Sequence, residues 1–365
     1  MKNLLMLHVT SETGGGPEQA YLLTKGLKEL KNDLNVYYIA PNNGPYYKKT
    51  AENVKNIYDI NLRRLSISSF FKILKIIKQH NIDIIHSHGR GAGVYSRLLG
   101  LITRKPVCHT FHGIHFDQYK NKSLKFLIKS IENKLANFSF NIFVSKGEQE
   151  IAKKKDLSGF TKKSIIIENG IDINKFKTKK YHTKKLILLT LARINYQKGI
   201  DLIIPTAAKL KNNNINFKWL VVGGHTRKDN EYTEKIKKLI KKHKIDKHVI
   251  LLPSVSKPEK LFSIANLYIS SSRWEGLPLS ILEGMASCTP IIATNVTGNN
   301  DIIKNKQNGL LIPINKFSSS ILKIIKEYQS GSHKFARYTN QATKDVNQFN
   351  YIKMTKEYIN IYSMI

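Results

Sequence analysis

"NLYISSSRWEGLPLSILEGMA", residues 266–286, changes its periodicity half-way along. "NLYISS" has the short apolar run of a strand, "RWEG" is a turn, and after Pro278 the apolar residues recur at helical spacing. Pro278 is expected at the first helical position, where its fixed φ suits the helix and its missing N–H costs nothing. Glu275 then precedes the helix and Glu283 falls in its second turn. An acid near the positive pole of a helix explains Glu275 alone. Glu283 interrupts the apolar "LSILEGMA" and needs a partner if it is buried, either a ligand hydroxyl or, at a helix edge, solvent.

A strand running through a turn into a helix is half of a βαβ unit, and the pattern repeats in both directions. "KLILLTLA", "FKWLVVGG", "HVILLP" and "TPIIAT" alternate with helical stretches in the second half of the chain, as do "NLLMLHV", "NVYYIA", "IDIIHSH" and "PVCHTF" in the first. The expected architecture is α/β, two Rossmann-like doubly wound parallel-sheet domains facing a cleft. The length, 365 residues, is long for one core and agrees with two. The expected boundaries are 1–170 for the first domain, 171–185 for a polar, lysine-rich linker and 186–345 for the second domain. A helix over 346–365 packs back on the first domain.

The net charge of +34 rests on 51 lysines and 9 arginines spread over almost every helix. A polyanion partner and a plainly solvated lysine surface are both open readings, and the scarcity of arginine argues against sequence-specific nucleic-acid recognition. Cys108 and Cys288 give neither a disulfide framework nor a metal motif. No run of about 18 apolar residues occurs, and "MKNLLMLHVTSETGGG" has the character of a first strand, not of an export signal, so a cytoplasmic protein is expected. In "YKNKSLKFLIKSIENKLANF", Leu124, Leu127, Ile128, Ile131 and Leu135 form one helical stripe among lysines. That stripe is either core packing or a face for an anionic membrane surface.

Open parallel sheets bind ligands beyond the carboxyl ends of their strands. In "LARINYQKG", Arg193 ends a strand and Lys198 follows just before a glycine and a helix, so both cations are candidates for one diphosphate. "TGGGPE" places Gly14, Gly15 and Gly16 between strand and helix, where the backbone can pass close to a phosphate or sugar or adopt positive φ, without the spacing of a nicotinamide site. His86, His88, His109, His112 and His115 gather at two strand ends with no acidic ligand pair, which favours hydrogen bonding over a metal site. His112 is best placed, by the glycine that follows it.

Taken in order, "GGGPE", "IDIIHSHG", "HTFHGIHF", "NGIDINKF", "LARINYQKG", "VVGG" and "EGLPLSILE" resemble glycosyltransferase family 4, the retaining, nucleotide-sugar-dependent enzymes of the GT-B fold. The last segment is similar to the family's E-x7-E signature, with Pro278 two positions earlier than in members reading E-G-F-G-L-P. The resemblance implies catalytic or donor-side roles for His112, Arg193, Lys198 and Glu275. It implies donor contacts at Gly223, Gly276, Leu277, Leu279 and Glu283, with Glu275 on the transferred sugar and Glu283 on the ribose. Gly14 to Gly16 would border acceptor and phosphates. It also implies a UDP-sugar donor, a glycan or polyprenyl-diphosphate-linked acceptor, and no cofactor or metal. The expected place of action is the inner face of the membrane, without specific nucleic-acid binding. A nucleotide-sugar epimerase of the same fold and a basic nucleic-acid-binding protein are the competing readings.

Overall fold

The computed structural model describes residues 1–114, 121–181, 183–225 and 229–365, apart from the side chain of Leu124. The chain forms two compact units, 1–170 together with 351–365, and 171–350. His115 and Lys120 lie outside the described residues.

Unit 1 runs β1 (Lys2–His8), α1 (Gly15–Glu29), β2 (Leu34–Ala40), α2 (Pro45–Ala51), β3 (Asn56–Asp59), α3 (Ile67–Gln79), β4 (Ile84–His88), α4 (Arg90–Thr103), β5 (Val107–Thr110), α5 (Lys122–Leu135), β6 (Phe140–Phe143), α6 (Lys146–Lys154), α7 (Ser158–Thr161) and β7 (Ser164–Ile166). Its seven strands are ordered β3-β2-β1-β4-β5-β6-β7, all parallel. Leu4, Leu5, Met6 and Leu7 are all fully buried, which is why β1 is a continuous apolar run and not an alternating one. The chain leaves β1 toward β2 on one side and reaches β4 on the other, so a crevice opens at the carboxyl ends of β1 and β4. There His8 and His88 are register partners.

Unit 2 runs α8 (Ile173–Phe176), β8 (Leu186–Leu191), α9 (Ile200–Asn212), β9 (Phe217–Val222), α10 (Asn230–Lys242), β10 (Val249–Leu252), α11 (Glu259–Ile264), β11 (Leu267–Ser270), α12 (Leu279–Ala286), β12 (Ile291–Thr294), α13 (Asn299–Ile302), β13 (Leu310–Ile312), α14 (Phe317–Gln329) and α15 (Lys334–Asp345). The parallel order β10-β9-β8-β11-β12-β13 puts the second switch point between β8 and β11.

The stretch 171–185 is part of this unit in the structure. Ile171, Ile173 and Phe176 are buried in it, Lys180 Nζ donates to Phe262 O at 2.8 Å and to Thr289 Oγ1 at 2.5 Å, and Tyr181 N donates to Ser263 O at 2.9 Å. Burial lowers the Lys180 ammonium to about 8, the cost of using a lysine as a strap. At the far end, residues 346–349 also stay with unit 2, where Val346 and Phe349 are buried and Ile171 N donates to Phe349 O at 2.8 Å. The returning helix is α16 (Tyr351–Met364), five residues shorter at its start than the pattern of 346–365 suggested. It joins unit 1 along α1, with Tyr358 Oη accepting from Gln19 at 3.1 Å and Lys2 Nζ donating to Tyr362 O at 3.1 Å.

The stripe on α5 is not the buried seam that core packing requires. Leu127 and Ile131 are 55% and 47% exposed, and Phe126 beside them is 74% exposed. Ile128 packs against the small core of Phe111, Phe143 and Phe160, and Glu132, nearly buried, pairs with Arg90. Among the described residues no helix is long and apolar enough to cross a membrane.

Gly26 on α1 lies where any Cβ would run into Thr355 of α16. Gly→Ala in a helix ordinarily stabilises by up to about 1 kcal/mol, but overpacking costs about 1–3 kcal/mol. Gly26→Ala is therefore expected to destabilise the protein in urea unfolding, with partial recovery when Thr355→Ala is added.

Candidate functional site

The site residues of unit 2 stand at the switch point of its sheet. Lys198 lies on the loop after β8, and Glu275 lies on the loop after the neighbouring strand β11. Lys198 Nζ donates to both carboxylate oxygens of Glu275, at 2.6 and 2.9 Å, and Ser272 Oγ donates to Oε1 at 2.6 Å. The lysine side chain is 17% exposed and the glutamate side chain 8%, so the pair is largely shielded from water and fixed in orientation. Removing one member of such a pair strands the other charge.

Three glycines make this arrangement possible. Gly199, at φ 64°, lies against the carbonyl of Ser271, and Gly298, at φ 87°, lies against Glu275 and the carbonyl of Gly276. Gly223 lies against the carbonyl of Ala192, leaving no room for a Cβ. The loop after β11 is also tied to the first turn of α9 by a fork: Arg273 donates to Asp201 Oδ1 and Oδ2 at 2.9 and 2.7 Å, and Tyr232 Oη donates to Oδ1 at 2.6 Å. Burial works to raise the Asp201 carboxyl, but these donors outweigh it and hold the group below its ordinary range. The guanidinium of Arg273 also covers the Tyr196 ring at 4.0 Å.

Pro278 occupies the N-cap with ψ 109°, so Leu279 and not Pro278 is the first helical residue. The extended ψ leaves the proline half outside the helix, flanked by Leu277 and Leu279, both buried. Glu283 is 5% exposed, which excludes the solvated helix edge. Glu275 and Glu283 both push the buried Tyr268 phenol up, after burial itself and against its bond to Ser280, so both carboxylates act on one region. Arg193 is exposed at the end of β8 and has no ion-pair partner among the described residues. Its loop is pinned by Ile194 N donating to Gly224 O at 3.0 Å.

In unit 1 the histidines divide into two groups. His109 is held by Ser87 Oγ at 2.8 Å, and His86 lies 2.6 Å from Tyr362 Oη and 2.9 Å from Thr110 Oγ1, so both are tied into the core. His8, His88 and His112 face one another at the carboxyl end of the sheet, with His88 Nδ1 3.3 Å from His112 Nε2. A Cβ on Gly16 would sit 3.5 Å from both the His112 ring and His8 Nε2, which places the glycine turn against this group. Gly14 is extended, with φ 165° and ψ 163°, and none of Gly14, Gly15 and Gly16 adopts the left-handed region. Among the described residues no cluster of His, Cys, Asp and Glu has a metal-holding arrangement.

His112 is positioned by a residue the sequence did not single out. Glu148 is buried, and its carboxylate accepts from Gly113 N at 2.5 Å and from Val144 N at 3.0 Å. Ser145 caps α6 by accepting from Glu148 N at 3.1 Å, a capping pattern legible in "SKGE". The glutamate reaches away from its own helix, which local pattern does not reveal. Ser272, Asp201 and the Gly298 loop were missed as well. "VTGNN" after the strand "IIAT" carries the glycine signal that marks the other ligand-side loops.

The two sheets, each with its site at a switch point, define a GT-B architecture. Residues 13–175 match Glycosyltransferase Family 4 and residues 171–345 match Glycosyl transferases group 1. Together these span most of the chain, which belongs to this family of glycosyltransferases. A relative from Escherichia coli, UDP-Gal:alpha-D-GlcNAc-diphosphoundecaprenol alpha-1,3-galactosyltransferase, is 27% identical over 90% of this chain and 88% of its own length. The capsular polysaccharide biosynthesis glycosyltransferase CapM of Staphylococcus aureus is 23% identical over 89% and 88%. Among solved structures, Anabaena HepE in complex with UDP and glucose superposes with a TM-score of 0.86 over the whole of both chains at 17% identity.

Burial lowers His8 to about 4, its bonds to the backbone opposing the shift. Burial, helped by His112, lowers His86 to about 3. Both imidazoles are therefore neutral in the fold and protonate on unfolding below about pH 6.5. The unfolded chain binds more protons in that range, so stability is complete above pH 6.5 and is lost as pH falls. Each histidine contributes a slope of about 1.4 kcal/mol per pH unit. Urea unfolding at pH 7, 6 and 5.5 is expected to show this decline, and a flat profile would contradict it.

Proposed function

We propose that the protein is a retaining glycosyltransferase that moves a hexose or N-acetylhexosamine from a UDP-sugar to a lipid-linked glycan, at the inner face of the membrane. The observation that carries this reading is the Lys198–Glu275 pair at the β8–β11 switch point, with Glu283 buried on the helix that follows. The name of the E. coli relative supports a UDP-sugar donor and a lipid diphosphate acceptor, and the staphylococcal relative supports polysaccharide assembly.

In this reading Arg193 and Lys198 take the donor diphosphate, Arg193 as a fork and Lys198 as a point charge steered by Glu275. Glu275 contacts the transferred sugar and Glu283 accepts from the ribose hydroxyls, while Gly223, Gly276, Leu277 and Leu279 line the donor path. His112 contacts a sugar hydroxyl. Burial, followed by the influence of His8, lowers His112 to about 3, so it offers a hydrogen bond and no charge. Gly14, Gly15 and Gly16 border acceptor and phosphate. With two side-chain cations for the departing diphosphate, we propose that the reaction needs neither cofactor nor divalent metal.

The exposed Phe126, Leu127 and Ile131 on α5, interleaved with Lys122, Lys125 and Lys129, suit an anionic lipid surface. Each lysine near such a surface contributes about 1 kcal/mol.

The test is UDP release from a panel of UDP-sugars with polyprenyl-diphosphate-linked acceptors, run with and without EDTA. Turnover insensitive to EDTA is expected, and no turnover with any pair would overturn the reading. Lys198→Ala is expected to slow transfer about 10²–10³-fold. Glu283→Ala is expected to raise the donor KM about 10-fold or more. Flotation with anionic but not neutral liposomes, reduced by Leu127→Ser with Ile131→Ser, is expected for the membrane contact.

A further inference from the structure

The imidazoles of His88 and His112 lie 3.3 Å apart from Nδ1 to Nε2, with their rings inclined by 21°. One proton must occupy that contact, because two lone pairs or two N–H groups would repel. His88 is fully buried, and its other nitrogen, Nε2, has no hydrogen-bond partner. Of its neighbours, His86, 4.2 Å away between centroids, spends both nitrogens on Tyr362 and Thr110. On the other side, His8 accepts from Thr10 N through Nδ1 at 3.2 Å, while its Nε2, beside Gly16, likewise has no hydrogen-bond partner.

An orphaned buried N–H costs more than an orphaned lone pair. The proton of a neutral His88 therefore belongs on Nδ1, inside the contact, and the partnerless Nε2 carries the lone pair. Burial, reinforced by His86, His112, His8 and His109, keeps His88 neutral.

We propose that His88 is a positioning residue: its Nδ1–H donates to His112 Nε2 and so holds His112 in the Nδ1–H form, as a hydrogen-bond donor to its ligand. Among the described residues no hydrogen bond is made to His112 Nδ1, so that N–H is available to an oxygen of the substrate. His112 then recognises a ligand acceptor atom and does not act as a base from that nitrogen. This assignment rests on the reading of His112 as a ligand contact. It explains why the second histidine of "HSH" is an imidazole placed at the end of β4, in register with His8, and not another apolar strand residue.

The test uses the full chain labelled with 15N-histidine and long-range proton–nitrogen NMR, with His112 assigned through His112→Asn. In the native protein His112 is expected to carry its proton on Nδ1. His88→Asn places an amide donor near the position of Nδ1 and is expected to keep that tautomer and most of kcat. His88→Asp, nearly the same size but without the donor, is expected to switch His112 to Nε2–H and to lower kcat about 10-fold or more, with a smaller change in donor KM. A native Nε2–H tautomer, or the same tautomer and the same kcat in the Asn and Asp variants, would overturn the proposal. Melting temperatures of the two variants separate misfolding from mispositioning. The tautomer is read without turnover, so its outcome is distinct from the outcome for the transfer reaction.

Discussion

Everything at the candidate site depends on the divergence of the chain at two points, between β1 and β4 in one sheet and between β8 and β11 in the other. Where neighbouring parallel strands send their loops to opposite sides, the backbone leaves an open crevice at their carboxyl ends. In unit 2 the crevice is set by Lys198 and Glu275, one from each diverging loop, bonded to one another. In unit 1 the corresponding position brings His8 and His88 side by side, with His112 in contact with His88. Neither group exists without the strand order, because its members are up to 104 residues apart in sequence, as His8 and His112 are.

The electrostatics of the two sites differ in kind. Unit 2 holds charge: a shielded ammonium–carboxylate pair, a second buried glutamate, and an arginine fork that ties the loop after β11 to α9. Such a site suits a ligand with both anionic and hydroxyl groups. Unit 1 has had charge removed, since burial lowers each of the clustered imidazoles far below its ordinary value. Neutral imidazoles in a network of hydroxyls give direction without charge. The rigidity around them is supplied from far along the chain, by Glu148 on the loop of His112 and by Tyr358 and Tyr362 behind His86.

Much of this is legible in the sequence. The alternation of apolar runs with amphipathic ones marked the strands and helices, and the glycine-bearing loops after the strands held most of the site residues. Glu275 and Glu283 were visible because acids are unusual on either side of a helix start within an apolar segment. The polar stretch after Gly170 was less readable: composition suggests a connector, yet Ile173, Phe176 and the Lys180 strap sew it into unit 2. Lysine content gave no hint of that, because the four-carbon stem of a lysine can cross a surface and deliver its ammonium to carbonyls. The stripe on α5 was readable as amphipathic but not as exposed, because helical periodicity shows that residues share a face and not what that face meets.

The sequence by itself determined the elements, their order and the chemical types at the strand ends, because periodicity and turn chemistry are local properties of the chain. Only the tertiary structure decided which of those residues touch. It paired Lys198 with Glu275, placed Glu283 out of water, and set His88 against His112 with one nitrogen left unpartnered. Those outcomes depend on strand register and on burial, and both arise only when segments distant in sequence are packed together.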